Sequence, residues 1–208
     1  QSAAKRYGSL KDSEARALLG QATAELQARG HYNSAMLYYG GEWYWGLDRL
    51  AHLADRLNKP GMRRVTGDLA YYQRQYRHVL QSYNTLRPRP KQVKTLDFYF
   101  SFRSPYSYIA LARTYALADH YGLDLKIRPV LPMVMRGLTV PKAKRFYILK
   151  DAAREARLHA VPFGKVCDPV GAGVERCMAI WPFAEKEGRL REWLRAAATG
   201  IWSQGINA

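Results

Sequence analysis

Cysteine is scarce in this chain: among 208 residues only Cys167 and Cys177 carry thiols, ten positions apart and outside any C-x-x-C pair. That spacing excludes the usual dithiol redox motif and a cysteine metal clamp, and fits free thiols in a reducing compartment better than a bridge. A cytoplasmic location is the expectation. Histidine is sparse as well, and His120 and His159 have no ligand spacing with each other or with a cysteine, so no metal site is expected. No run approaches the roughly 20 apolar residues that span a bilayer, which argues for a soluble chain without a transmembrane segment. The chain opens on Gln1 rather than Met, so residues ahead of it, with any signal peptide, are expected to have been removed.

Acidic residues are few too, 17 against 33 Lys+Arg, for a formal charge of +16. The excess is uneven. Residues 58–94 hold 9 Lys+Arg against 1 Asp+Glu, whereas residues 1–57 hold 7 against 6. A basic stretch of this kind binds nucleic acid or an anionic surface, or is simply a solvated linker. The linker reading is preferred, because Arg87-Pro-Arg-Pro-Lys91 has no nucleic-acid-binding fold around it. Hydrophobic residues make up 48%, enough to build a core, and the length allows one domain or parts of two.

Taken in order, residues 9–28 read as an amphipathic helix with Asp12 or Ser13 as cap and Ala15, Leu18, Leu19, Ala22 and Leu26 at helical spacing. Residues 35–39 read as a strand, Gly40-Gly41 as a two-residue turn and residues 42–45 as the returning strand. A helix over 48–57 follows, with Leu47, Leu50 and Leu53 on one side. Within the basic stretch, residues 68–83 read as a helix with an aromatic stripe.

The second half opens on residues 95–108, Thr-Leu-Asp-Phe-Tyr-Phe-Ser-Phe-Arg-Ser-Pro-Tyr-Ser-Tyr. Residues 96–102 read as a buried strand, Ser104 as a helix N-cap and Pro105 as the first helical residue. Such a junction gathers unpaired N–H groups and the positive end of a helix dipole at one hydroxyl, a setting that favours an anion or a thiolate. Capping alone is the plainer reading of Ser104. Residues 125–130 then read as a second, parallel strand, and residues 132–137 as a loop able to cover the site. A helix over 141–159 places Phe146, Leu149, Ala153 and Ala156 on one face, and further helices are expected over 172–187 and 190–202. Trp181 and Trp193 are expected in the core.

The run Asp97-Phe-Tyr-Phe-Ser-Phe-Arg-Ser-Pro-Tyr-Ser-Tyr108 resembles the start of the 2-hydroxychromene-2-carboxylate isomerases and kappa-class glutathione transferases, in the DsbA-like branch of the thioredoxin superfamily. The resemblance implies an α/β fold, a thioredoxin-like sheet with a helical insertion, and glutathione as cofactor. Ser104 and Ser107 would stand where redox relatives carry sulfur. A hydroxyl forms no disulfide, so dithiol exchange is excluded and Ser104 is implied to donate a hydrogen bond to the glutathione thiolate. Gly40-Gly-Glu-Trp-Tyr-Trp-Gly-Leu-Asp-Arg-Leu50 is similar to the family's closing segment. There a cis Val-Pro precedes the hairpin; here the aligned pair is Ser34-Ala35, expected to be trans. By that likeness Ala35, Asp48 and Arg49 would contact glutathione. Lys144-Arg-Phe-Tyr147-Ile-Leu-Lys-Asp151 resembles a family pattern whose lysine reaches the tripeptide, though Lys144 is otherwise a solvated charge; the asparagine that precedes this pattern has no match. Tyr106 and Trp202 would wall the substrate pocket, core packing being the alternative for Trp202.

The order is reversed relative to that family, a tail-like segment before a head-like one. The expected organisation is therefore the closing helix-hairpin-helix of a first unit (1–57), a basic connector with a helix (58–94), and the opening βαβ and helical insertion of a second unit (95–208). A circular permutant, with the early hairpin completing the later sheet, is the rival. Three functions compete: a glutathione-dependent isomerase or transferase acting on an aromatic or unsaturated carboxylate, a binding module whose glutathione site has decayed, and an anion or nucleic-acid binder using 58–94. The expected partner is a small-molecule substrate, with a homodimer allowed and nucleic acid disfavoured.

Overall fold

In the structure, a computed structural model, residues 10–58 and 93–208 are described. The helix expected over 68–83 and the basic stretch lie largely outside them. Helix α1 spans Asp12–Ala28; the Glu14 carboxylate caps it by accepting the Lys11 N–H at 3.0 Å. Strands β1, Met36–Tyr39, and β2, Glu42–Trp45, form an antiparallel hairpin around Gly40-Gly41, both glycines at positive φ as the tight turn requires. A short 3-10 turn, Leu47–Arg49, leads into α2, Leu50–Asn58.

The second part begins with β3, Thr95–Phe100, continues through α3, Pro105–Tyr121, and returns in β4, Asp124–Pro129, which pairs with β3 in parallel from Thr95↔Asp124 to Phe100↔Pro129. A 3-10 turn, Met133–Arg136, precedes α4, Lys142–Leu158. Helices α5, Ala172–Lys186, and α6, Leu190–Ser203, complete the chain. The core lies between the sheet and these helices. Phe100 and Phe102 meet Trp181 edge-on or tilted, and Ile109, Leu111, Tyr115 and Leu194 close around them. Burying each such side chain stabilises the fold by roughly 1.5–3 kcal/mol.

Three sequence expectations change. The β3 strand is not buried on both faces: Thr95, Asp97 and Tyr99 are exposed while Phe100 is buried, because the core helices cover one face and an Arg128–Asp97 pair at 2.8 Å occupies the other. No residue of α1 is buried, and Leu18 and Leu19 are exposed. On α4 the buried side chains are Tyr147, Asp151, Ala152, Arg154 and Ala156, while Phe146 and Leu149 are exposed. Trp181 is buried as expected; Trp193 is half-buried against the core.

The β1–β2 hairpin is a sheet of its own and does not pair with β3 or β4. It is instead strapped to α4. Arg154 Nη2 donates to the Trp43 carbonyl at 2.7 Å, and the buried His31 ring meets Tyr147 edge-on with centroids 5.0 Å apart.

Candidate functional site

The site grows from the turn between β3 and α3. Ser104 has extended backbone (φ −102°, ψ 111°), and Pro105 supplies a first helical residue that needs no N–H partner. Ser104 Oγ accepts the Ser107 N–H at 3.2 Å, and Ser107 Oγ accepts the Ser101 N–H at 3.3 Å. Both serines of the Ser-Pro-Tyr-Ser run thus hold backbone. Because Ser104 Oγ is an acceptor in its cap, its own proton is left to donate.

Ser104 lines a cavity of about 400 Å³, a size suited to a small-molecule ligand. Its walls are mainly apolar, among them Val130, Val140, Leu149 and Trp202. Trp202 is 4% exposed, stacks on Phe163 at 5.9 Å, and donates Nε1–H to the Phe102 carbonyl at 3.0 Å. It is therefore both core and cavity wall. The turn at Met133–Arg136 lines the same cavity, so the expected covering loop borders it.

Four charged side chains line the cavity: Arg103, Arg136, Arg145 and Asp168. Arg103 forks onto Asp168 through Nε and Nη2, both at 2.7 Å. That hydrogen bond, opposed by burial and helped by the guanidinium charge and the Val170 N–H, holds the Asp168 carboxyl below its ordinary range. Arg145 Nε donates to the Val140 carbonyl at 3.0 Å. None of these four was expected from sequence. Arg103 stands next to Ser104, but its partner lies 65 residues away and only the fold brings them together.

Behind the cavity wall lies a buried network on Asp151, which is 1% exposed. Arg49 clasps it through Nε at 2.7 Å and Nη2 at 2.8 Å, and Tyr106 donates its hydroxyl at 2.8 Å. Burial alone would raise the Asp151 carboxyl, but the Arg49 hydrogen bonds and charge, with Tyr106 and Arg154, outweigh it and hold the carboxyl low. Burial and the Asp151 charge push the Tyr106 hydroxyl far above its ordinary value, so it stays protonated and donating. Beside this network His52 Nε2 and Glu155 Oε1 are 2.7 Å apart.

Of the residues expected in one site, Ser104, Tyr106 and Trp202 share the cavity. Arg49 is committed to Asp151, and Asp48 is exposed on the Leu47–Arg49 turn. Lys144 sits with Nζ 6.0 Å from the Tyr32 ring rather than in the cavity lining. Ala35 is trans, with its carbonyl accepting the Gly46 N–H at 2.9 Å. Among the described residues, no group of three or more His, Cys, Asp or Glu is placed to hold a metal ion, and no helix is long and apolar enough to cross a membrane. Cys167 and Cys177 are both free thiols.

Comparison with known proteins bears on residues 95–208, which match the DSBA-like thioredoxin domain family. The 2-hydroxychromene-2-carboxylate isomerase of Pseudomonas putida is 27% identical over 119 residues, 53% of this chain and 57% of that protein. A solved structure of a 2-hydroxychromene-2-carboxylate isomerase, prepared with selenomethionine, is 28% identical with a TM-score of 0.42, over 54% of this chain and 58% of that one. The chain thus spans less than two thirds of the length of either relative.

Proposed function

This chain belongs to the DSBA-like thioredoxin domain family, and from that membership we propose that its Ser104 cavity serves a glutathione-dependent isomerisation of an aromatic or unsaturated carboxylate. The observation that carries the proposal is a hydroxyl with a proton to donate, fixed at the N-terminus of α3 on the wall of an apolar cavity that also carries arginines. Sequence likeness to 2-hydroxychromene-2-carboxylate isomerase supports the reaction class.

The residues present suit the group at its sulfur and carboxylate ends. Ser104 Oγ is held in place by the Ser107 N–H while its own proton is left to donate, and the α3 dipole adds positive potential at the same point. Arginines of the lining take carboxylates in bidentate fashion. When bound, glutathione supplies a sulfur nucleophile that adds reversibly to an unsaturated acid. Neither serine forms a disulfide, so no dithiol exchange takes place at this turn.

The competing reading is a binding module that has lost its glutathione clamp. It is favoured by Asp48, Lys144 and Ala35, none of which lines the cavity.

Calorimetric titration of glutathione, together with ultraviolet titration of its bound thiol, separates the two readings. Wild-type protein is expected to bind glutathione and to hold its thiol well below the free value of about 8.5. Ser104→Ala loses that effect and about 1 kcal/mol of helix capping. Ser104→Asp keeps the cap but offers no O–H, so it should fold normally and still fail to stabilise the thiolate, slowing isomerisation about 100-fold or more. Wild-type protein that ignores glutathione would leave the binding module standing.

A further inference from the structure

We infer that His31 is an acid-sensitive latch: its neutral ring pins the β1–β2 hairpin segment to α4, and on gaining a proton it lets that segment go. The inference holds whatever the Ser104 cavity binds.

His31 sits in the joint between the hairpin and α4 and is 3% exposed. Its ring stacks on Tyr32 with centroids 4.7 Å apart, lies tilted against Trp43 of β2 at 4.9 Å, and meets Tyr147 of α4 edge-on at 5.0 Å. Its backbone N–H donates to the Leu26 carbonyl of α1 at 3.0 Å. The decisive contact is at Nδ1, which accepts the Asn33 N–H at 3.1 Å. An accepting Nδ1 puts the neutral ring's proton on Nε2, and that atom has no hydrogen-bond partner among the described residues.

An imidazolium donates from both nitrogens and accepts at neither. A proton on Nδ1 would meet the Asn33 N–H donor against donor and break the turn that seats the ring. The new charge would also go unanswered by the groups around it. From α4, Tyr147 faces the ring, and its hydroxyl donates at 3.4 Å to Asp151, a carboxylate already clasped by Arg49; Lys144 adds a second positive charge 6.0 Å from the Tyr32 ring. From β2, Trp43 faces it, its carbonyl taken by Arg154 and its Nε1–H given to the Arg29 carbonyl at the end of α1. Ring faces attract a cation but offer it no acceptor. Burial accordingly holds His31 below its ordinary value of 6.5. An undocked ring takes up its proton near that value while the docked ring refuses it, so docking weakens as pH falls below about 6.5. Undocking withdraws Arg49 from Asp151, the carboxylate that also accepts the Tyr106 hydroxyl of the cavity wall, so acid felt at His31 reaches the cavity.

Hydrogen exchange of the whole chain by NMR, corrected for intrinsic rates, tests this at about pH 7 and about pH 5.5. One proton taken up only on undocking makes opening of the β1–β2 amides about 8-fold more frequent at the lower pH, with no such rise for the β3–β4 amides. His31→Phe keeps an aromatic ring and His31→Asn keeps an acceptor at the δ position; neither titrates, and each should remove that 8-fold component. His52 and His159, which face Glu155 at 2.7 and 3.6 Å in the same joint, remain in both variants, so the comparison isolates His31. The wild-type His31 ring signals give a second reading should the variants fold poorly: they should titrate well below 6.5 and together with the rise in hairpin exchange. An equal pH response in wild type and both variants overturns the latch, as does a His31 ring that titrates at or above 6.5. Equal opening of the two sheets overturns it too, since the hairpin would then not be released on its own.

Discussion

Ala35 stands at φ 56°, where the side chain of an L-residue crowds its own backbone at a cost of about 1–2 kcal/mol. Replacing it with glycine removes the crowding but adds freedom to the unfolded chain, so Ala35→Gly should stabilise the protein by about 0.5–1 kcal/mol in urea denaturation. Ala35→Pro should do the opposite and cost more than about 1 kcal/mol, since the ring locks φ near −65°. The hairpin entry therefore does not have the backbone that a proline needs. Ser104 is the contrasting residue. Its cap joins atoms three positions apart, so a Ser-Pro pair ahead of an apolar helix is enough to read it. What the Arg103, Arg145 and Lys144 side chains touch was not readable in that way, because a guanidinium or ammonium on a helix or turn has no partner until the fold brings one.

At the scale of elements, hydrophobic periodicity found each described helix and strand within a few residues but misjudged some faces. On α4 it favoured Phe146 and Leu149 over Asp151 and Arg154, since no hydropathy scale ranks a carboxylate as buried. Asp151 is buried because Arg49 arrives from 102 residues away. Arg49→Met is expected to leave that carboxylate only the weaker cationic contact, Arg154 at 3.5 Å, and to cost about 3 kcal/mol at neutral pH. The pH dependence has a definite sign. Asp151 and Glu155 are both held below their ordinary values, so their contribution is full above about pH 5 and is lost as pH falls through the folded-state values. In the Arg49→Met protein the largest lowering contribution is gone and burial is opposed only by Tyr106 and Arg154, so the Asp151 value moves up and protonation relieves the variant as pH falls. Urea denaturation from neutral pH down to about pH 4 should show the two proteins converging. Parallel curves would mean that the pair is not the source of the difference.

For the molecule as a whole, a formal charge of +16 makes repulsion between like charges part of the energy of the compact state. Raising ionic strength from about 0.01 to 0.15 M shortens the screening length from roughly 30 to 8 Å, so thermal melting should shift upward over that range. A downward shift would show that attractive surface pairs, such as Arg191 with Asp119, outweigh the repulsion. The buried Arg49–Asp151 clasp should respond little. By itself the sequence determined the basic charge, the hairpin around Gly40-Gly41, the Ser104 cap and the parallel pairing of two strands around a helix, because each follows from neighbours close along the chain or from the handed crossover between them. Only the tertiary structure decided that Arg49 serves Asp151, that Arg103 serves Asp168, and that two further arginines border the cavity of Ser104. Ion pairs between distant residues depend on which surfaces pack together, and no local pattern encodes that.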